Sequence, residues 1–169
     1  TVIFRTSVAR IMAVELNGND LNIYDVASVA RNRDNVSVSK DAWNRIEECR
    51  AVIQSKIDDH EVMYGVTTGI GEFSEVVLNP EQVEEFQRYL IYSHAAGIGD
   101  PMDEDVVRGA MVGRINVHCH GNSGGRSEVT EQMLNMLNRG ITPIAAAIGS
   151  VGACGDLSPM SQIAMAMMG

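Results

Sequence analysis

One segment near the C-terminal end of the chain is the most informative about the fold. It reads Gly149-Ser150-Val151-Gly152-Ala153-Cys154-Gly155-Asp156-Leu157-Ser158-Pro159. Three glycines within seven residues give the backbone access to conformations that other residues avoid. Ser158 is a typical N-cap residue, Pro159 suits the first helical position, and apolar residues follow. The sequence therefore predicts a tight turn directly before a helix, where free backbone N–H groups favour negative charge.

The same residues suit an internal cyclisation of the backbone. The amide nitrogen of Gly155 would attack the carbonyl carbon of Ala153, and loss of water would close a five-membered ring. Cys154 would then lose its sulfur by β-elimination, which leaves a methylidene electrophile. A glycine at 155 permits the approach, and a small residue at 153 avoids crowding. The alternative interpretation is a Gly-rich connection to a helix without any chemistry.

Three further segments combine glycines with residues that carry chemistry. The first is the loop 64–71, Tyr-Gly-Val-Thr-Thr-Gly-Ile-Gly, after a strand-like run through Val62 and Met63. The second is 90–97, Leu-Ile-Tyr-Ser-His-Ala-Ala-Gly, on a helix predicted from Asn79 by a capping-box pattern. His94 continues the apolar stripe of this helix. A histidine in such a position is either a hydrogen-bonded core residue or a functional residue. The third is 121–126, Gly-Asn-Ser-Gly-Gly-Arg, where Arg126 can bind carbonyls or a carboxylate with its planar donors.

These four segments, in their order along the chain from 64 to 159, resemble motifs of the aromatic amino-acid ammonia-lyases and aminomutases. That family builds a 4-methylidene-imidazol-5-one electrophile from an Ala-Ser-Gly segment. This chain departs from the family pattern by Cys154 where serine is usual, Thr67 where asparagine is usual and Ile70 where phenylalanine is usual. A thiol also leaves by β-elimination, so the electrophile is still expected.

The resemblance implies a role for each matching residue. The ring from Ala153, Cys154 and Gly155 is the autocatalytic cofactor, and Tyr64 is the base that removes the β-proton of the substrate. A tyrosine has a reference pKa of about 10, so such a base needs neighbours that lower it. Ser93 and His94 recognise the ring of the substrate, as in the histidine ammonia-lyases, and Gly71 belongs to the substrate-binding surface. The remaining matches are assigned structural roles in the loops: Gly65, Gly69, Arg126 and Asp156.

Composition excludes several other classes. The 169 residues carry a net charge of −9, which argues against nucleic acid and anionic membranes as partners. No apolar run is long enough to span a bilayer, and the first twelve residues lack the features of a signal peptide. Three cysteines without a disulfide-type spacing favour a reducing cytoplasm. The sequence predicts no metal site, because His118 and His120 of the His-Cys-His run would diverge on a helix. No phosphate-binding glycine motif is present either.

Periodicity and capping residues predict a mainly α fold. We expect a small α/β part over about 10–78 and the start of a helical bundle over about 79–169, with 1–169 forming the N-terminal portion of an ammonia-lyase-like domain. The predicted elements are a strand at 11–16 with a turn at 17–20, a short helix capped by Asp20 or Asn22, a loop at 31–38, and a long helix capped by Ser39. Further helices are predicted at 103–118 and 127–138, the second with Val129, Met133, Met136 and Leu137 facing inward.

The apolar helical face from Met160 to Met168 has nothing after it to bury it. Family members are several hundred residues long, so we expect either a longer protein or a second chain that carries the missing C-terminal part. The resemblance implies a small amino-acid substrate, a homotetramer with shared sites, and an isolated chain that is inactive. The favoured activity is elimination of ammonia from histidine. A tyrosine or phenylalanine 2,3-aminomutase and a non-catalytic subunit remain alternatives.

Overall fold

The structure, a computed structural model, describes residues 13–152 and 155–169, and the prediction of a mainly α fold is confirmed. None of the helices in this part of the chain is long and apolar enough to cross a membrane. The α-helices are α1 (Ile23–Ala27), α2 (Lys40–Asp58), α3 (Pro80–His94), α4 (Glu104–His118), α5 (Ser127–Asn138) and α6 (Leu157–Met168). The strands are β1 (Val14–Leu16), β2 (Val36–Val38), β3 (Ile98–Pro101) and β4 (Ala146–Ile148).

The N-terminal part contains a short parallel pair that the sequence only half predicts. Strand β1 lies inside the predicted strand at 11–16, of which residues 11 and 12 lie outside the described residues. The predicted loop at 31–38 is wrong at its end, because β2 pairs there with β1 in parallel, Val14 opposite Val36 and Leu16 opposite Val38. A three-residue strand is too short for an alternating pattern to stand out from a loop. Between the strands, Asn22 caps α1, which continues as a π-helical turn over Ser28–Asn32.

Two predicted helix starts are confirmed by their caps. The hydroxyl of Ser39 accepts a hydrogen bond from the amide of Ala42 at the beginning of α2. At α3 the side chain of Asn79 accepts from the amide of Gln82, and the side chain of Gln82 accepts from the amide of Asn79. This reciprocal capping box satisfies two donors that a helix N-terminus otherwise leaves free. The segment after Asn79 is thereby fixed as the helix that carries Ser93 and His94.

The antiparallel pair β3–β4 is absent from the predictions. Ile98 lies opposite Ile148 and Pro101 opposite Ala146, with an irregular register between them, and the amide of Met102 donates to the carbonyl of Ala145. The sequence Ile-Gly-Asp-Pro contains three residues that are poor strand formers, and all four residues are exposed. The pairing therefore depends on how α3, α4 and α6 bring the two segments together.

The hydrophobic core lies where α4 and α5 meet the first strands and the π-helical turn. Fully buried Arg108 of α4 donates to the carbonyls of Val29 and Leu137, and so ties the π-helical turn to α5. Burial, followed by the charge of Arg33, lowers the pKa of Arg108, while Glu104 acts in the opposite direction. The inward positions of α5 are confirmed except for Val129, which is exposed. The main buried side chains are Leu16, Val29, Val36, Val107, Met111, Val112, Ile115, Met133, Met136, Leu137 and Ile163.

Two predictions about α6 need correction. The helix begins at Leu157, and its N-cap is Asp156 in a left-handed conformation (φ 55°, ψ 45°), so Ser158 and Pro159 are already inside the first turn. The amide of Met160 donates to the carbonyl of Asp156, which places the start earlier than the Ser-Pro pair suggested. The apolar face of α6 is also not wholly uncovered, because Ile163 is buried in the core and Met160 and Met167 pack against it. Met165 and Met168 remain exposed.

Candidate functional site: a tyrosine loop, the end of α3 and a glycine-rich turn

The tyrosine loop, residues 61–71, is a series of tight turns, and the predicted strand through Val62 and Met63 is wrong. The carbonyl of Met63 accepts hydrogen bonds from the amides of Val66, Thr67 and Thr68. This single backbone carbonyl thus organises the turn. The apolar pair Val62-Met63 in the sequence does not indicate such a turn. At its far end the loop is bridged to Val77 through Thr68.

Two threonine hydroxyls hold the tyrosine loop from inside. Thr67 donates to the carbonyl of Glu61 (2.8 Å) and accepts from the amide of Met63 (2.8 Å). Thr68, which is fully buried, donates to the carbonyl of Gly69 (2.9 Å) and accepts from the amide of Gly65 (3.2 Å). In the sequence, Thr67 is noticeable only as a departure from a family pattern. Its hydroxyl in fact satisfies backbone groups that would otherwise be left unpaired.

Tyr64 itself points outward from this rigid base. Its side chain is 67% exposed, and its phenolic oxygen accepts a hydrogen bond from the amide of Gly71 at 3.3 Å. Gly71 has φ +58° and Gly65 has φ +68°, conformations that favour glycine. At Gly69 a Cβ would lie 2.5 Å from the Cβ of Phe73, so a larger residue does not fit. The three glycines thus let the loop turn so that the phenol meets the Gly71 amide.

Gln87 of α3 connects this loop to the next segment of the candidate site. Its amide nitrogen donates to the carbonyl oxygen of Gly65 at 3.0 Å. Sequence reasoning did not single out Gln87. The available signal was its position seven residues before His94, which places both on one face of α3.

Ser93 and His94 lie in the last turn of α3 and form a small polar group. Nδ1 of His94 lies 2.8 Å from the carbonyl oxygen of Leu90 and 3.1 Å from the hydroxyl of Ser93, which itself donates to Leu90 at 3.0 Å. A carbonyl oxygen can only accept, so Nδ1 carries the proton and Nε2 of a neutral imidazole is an acceptor. His94 is half-buried on an apolar stripe, as the helical spacing predicts.

The glycine-rich turn is held by Asp156. The carboxylate of Asp156 accepts hydrogen bonds from the hydroxyl of Ser150 and from the amide of Gly152 (3.3 Å), and the amide of Gly155 donates to the carbonyl of Gly152 (3.0 Å). Gly152 (φ +64°) and Gly155 (φ +78°) both have left-handed conformations. The predicted residues Ala153 and Cys154 lie outside the described residues.

Gln162 of α6 joins β4, which leads into the glycine-rich turn, to the segment that follows His94. Its side chain donates to the carbonyl of Gly97 (3.2 Å) and accepts from the amide of Ala146 (2.8 Å). A Cβ on Gly149 would lie 2.9 Å from the Cα of Gly97, so glycine is required where the two backbones touch. The structure therefore brings segments 90–97 and 149–159 into contact, and Gln162, which the sequence motifs do not point to, holds the same junction.

A cavity of about 780 Å³ adjoins these elements, and Gly65, Gln87 and Arg126 are among the residues that line it. The side chain of Arg126 is exposed and makes no hydrogen bond or ion pair within residues 13–152 and 155–169, whereas its backbone carbonyl accepts from the amide of Val129. The carbonyl of Gly124 accepts from Arg50 instead, at 3.4 Å. Arg126 is therefore placed beside the tyrosine loop without the carbonyl contacts expected of it.

The His-Cys-His run is structural in this fold. Nδ1 of His118 pairs with the hydroxyl of Thr130 at 2.9 Å, and burial, with a smaller effect of Arg114, lowers the pKa of His118. Burial raises the pKa of the Cys119 thiol to about 11, although Arg45 opposes the shift. Within the described part of the chain, no group of three or more histidine, cysteine or carboxylate side chains is arranged to hold a metal ion.

Comparison with known proteins gives a consistent result over almost the whole chain. The family model for aromatic amino acid lyases matches residues 21–169. Histidine ammonia-lyase of Alkaliphilus metalliredigens is 41% identical over 156 residues, which are 92% of this chain and 31% of the relative. The chain thus spans about a third of the length of the curated relatives it matches.

Solved structures agree with this match. Histidine ammonia-lyase from Trypanosoma cruzi superimposes with a TM-score of 0.86 at 34% identity, covering 94% of this chain and 30% of that one. Tyrosine aminomutase from Streptomyces globisporus gives a TM-score of 0.85 at 33% identity, covering 90% of this chain and 28% of that one. The resemblance of the four motifs therefore extends to the backbone that connects them.

Proposed function

The chain belongs to the aromatic amino acid lyase family, and from that premise we propose that it forms the N-terminal third of an ammonia-lyase that acts on histidine. The reaction would be non-oxidative elimination of ammonia, which leaves an α,β-unsaturated acid. The observation that carries this proposal is the convergence of three motifs. Gln87 ties the tyrosine loop to α3, Gln162 of α6 is bonded to Gly97 after the end of α3, and Gly149 of the glycine-rich turn touches Gly97.

The residues around the glycine-rich turn fit a backbone-derived methylidene-imidazolone. Cyclisation needs small, conformationally free residues on both sides, and Gly152 and Gly155 have left-handed conformations with nothing within 4 Å of a Cβ placed on them. Asp156 fixes the ends of the turn through Ser150 and Gly152. We assign the ring to Ala153, Cys154 and Gly155, with loss of one water and one hydrogen sulfide. The group supplies an electrophile that makes the substrate amine a better leaving group.

Tyr64 is our candidate for the base. An exposed phenol is accessible to a substrate, and the amide of Gly71 that donates to its oxygen holds the phenol in one orientation. Gly71 would thus contribute to the site through its backbone. In this role Tyr64 removes the β-proton of the amino acid while the amine leaves from the α-carbon.

Ser93 and His94 are our candidates for recognition of the substrate ring. With its Nδ1 proton given to the carbonyl of Leu90, His94 offers Nε2 as an acceptor. An acceptor matches the N–H of an imidazole or the O–H of a phenol and has no partner on a phenyl ring. This chemistry favours histidine or tyrosine over phenylalanine as the substrate.

An aminomutase of the same family is the second candidate, favoured by the similarity to tyrosine aminomutase from Streptomyces globisporus. A non-catalytic subunit with the same fold is the third.

We also propose that the complete protein is a homotetramer, or is completed by a second chain, and that the 169-residue chain alone is inactive. A cytoplasmic location is consistent with the free thiols of Cys49 and Cys119. The small α/β part would extend over about 10–78 and the helical part over about 79–169.

Product analysis with the complete protein tests these alternatives. Histidine, tyrosine and phenylalanine are each supplied, and the products are separated by chromatography. Free ammonia together with urocanate from histidine supports the proposal. A β-amino acid would indicate the aminomutase, and the absence of both products from all three substrates would indicate the non-catalytic subunit.

A further inference from the structure

The tyrosine loop is anchored in two different ways. Most of its hydrogen bonds are local, from Thr67, Thr68 and the carbonyl of Met63, or reach only to Val76, Leu78 and, at the first residue of the loop, Lys56 of α2. The hydrogen bond from Gln87 to the carbonyl of Gly65 is different, because it connects residues 22 positions apart. Local bonds give the loop its shape, whereas only a bond to another element can fix its position.

Gln87 shares a helix face with His94. Residues 87, 91 and 94 are spaced four and three apart, which aligns them along one side of an α-helix. At a rise of about 1.5 Å per residue, Gln87 and His94 are about 10 Å apart along the axis of α3. The helix therefore sets a fixed separation between the point where the loop is attached and the residue assigned to ring recognition.

The bonded carbonyl is close to the assigned base. Gly65 directly follows Tyr64 and has a φ of +68°, and because glycine has no Cβ its backbone has more conformational freedom than another residue would have. Without a partner from α3, rotation at Gly65 would move the tyrosine with respect to α3. Both Gly65 and Gln87 line the cavity of about 780 Å³, so this junction lies at an open surface where packing does not constrain the loop on every side.

We propose that Gln87 is a positioning residue that sets the distance between the Tyr64 base and the ring-recognition pair of Ser93 and His94. This inference depends on the proposed function, since it assigns Gln87 to the same site. Gln87 contacts neither the substrate nor the reacting atoms. It acts through the Gly65 carbonyl. This role requires a side chain that carries a hydrogen-bond donor and is long enough to reach that carbonyl.

The test compares three variants of the complete protein. Gln87→Met keeps the length of the side chain and removes the donor, and Gln87→Lys restores a donor. Glu85→Gln is the matched control, since it changes an exposed residue of α3 that does not line the cavity. For each variant we measure kcat, KM, the kinetic isotope effect with β-deuterated histidine, and hydrogen exchange of the amides of residues 65–69.

Because it removes a single hydrogen bond, Gln87→Met should lower kcat by about three- to tenfold and leave KM within about twofold. The β-deuterium isotope effect should increase, because proton removal becomes slower relative to the other steps. Gln87→Lys should recover most of kcat. Hydrogen exchange at 65–69 should become about three- to tenfold faster in Gln87→Met and stay unchanged in Glu85→Gln.

An isotope effect and an exchange rate in Gln87→Met equal to those of Glu85→Gln would overturn the proposal. A lower kcat with an unchanged isotope effect, or no recovery in Gln87→Lys, would also overturn it, since a merely structural role predicts that result. If Gln87→Met does not fold, Gln87→Glu, which also lacks the donor, takes its place. If the wild-type protein releases no product from any aromatic amino acid, the proposed function has failed, and the exchange rates still decide whether Gln87 fixes the loop.

Discussion

Replacing Thr68 by valine should loosen the tyrosine loop without changing its shape. Valine has nearly the volume of threonine, and Thr68 is fully buried, so the change removes only the hydroxyl. Two backbone groups then lose their partners, namely the amide of Gly65 and the carbonyl of Gly69. Leaving a buried polar group unpaired costs about 1–3 kcal/mol, and the lower limit applies here because the Gly65 contact is only partly buried.

The two groups together give a loss of about 2 kcal/mol in the free energy of local opening. Since 1.4 kcal/mol corresponds to a factor of ten, the amides of residues 65–69 should exchange with solvent about thirtyfold faster. Hydrogen exchange followed by mass spectrometry on the complete protein measures this rate directly. The expected change is confined to the loop, and amides in the middle of α4 and α5 should exchange at the wild-type rate.

Thr142→Val is the matched control for this measurement. The hydroxyl oxygen of Thr142 is also buried, yet it has no hydrogen-bond partner among the described residues. Removing it should leave stability unchanged or raise it slightly, because no partner is orphaned. If Thr68→Val accelerates exchange no more than Thr142→Val does, the hydroxyl of Thr68 does not hold the loop and the argument is refuted.

Three other changes test the assigned roles. Tyr64→Phe should lower turnover of the complete protein by about a hundred- to ten-thousand-fold, since it removes the base. Near-normal steady-state turnover would show that Tyr64 contributes only to packing. His94→Leu should shift the ratio of kcat/KM values from histidine toward phenylalanine, because the ring loses its polar partner, and an unchanged ratio would show that His94 is only a core residue. Burial raises the pKa of Cys119 from 9.0 to about 11, so its contribution to stability is complete below pH 9 and is lost as the pH rises toward 11. Urea unfolding across this range should show a decline that is weaker in Cys119→Ala, and equal slopes would contradict the assignment.

The helices could be predicted well because their signals are local. Ser39 and Asn79 mark the starts of α2 and α3 with the hydrogen bonds that their side chains suggest. The exact bounds of α5 followed from its apolar spacing. The strands were harder, since β2 and β3 are short and depend on partners more than twenty residues away. Distant pairing leaves little trace in the sequence of either partner.

The motifs of the candidate site can be recognised in the sequence, but the hydrogen bonds that connect them cannot. Tyr64, His94 and the glycine-rich turn stand out because their residue types are unusual in such positions. Gln87 and Gln162 do not stand out, since a glutamine on a helix is ordinary until a carbonyl from another segment meets it. The start of α6 was misplaced for a related reason. The Ser158-Pro159 pair has the local signature of a helix start, but the helix begins earlier, because the backbone carbonyl of Asp156 accepts from the amide of Met160 while its carboxylate binds the preceding turn.

The central claim is that residues 153–155 form the electrophile of an ammonia-lyase. Its most direct test is the intact mass of the complete, folded and assembled protein, read together with the near-ultraviolet absorbance. The claim predicts a mass lower than that of the encoded chain by one water plus one hydrogen sulfide, with added absorbance that is absent in Gly155→Ala. An unmodified mass in the folded and assembled protein would contradict it.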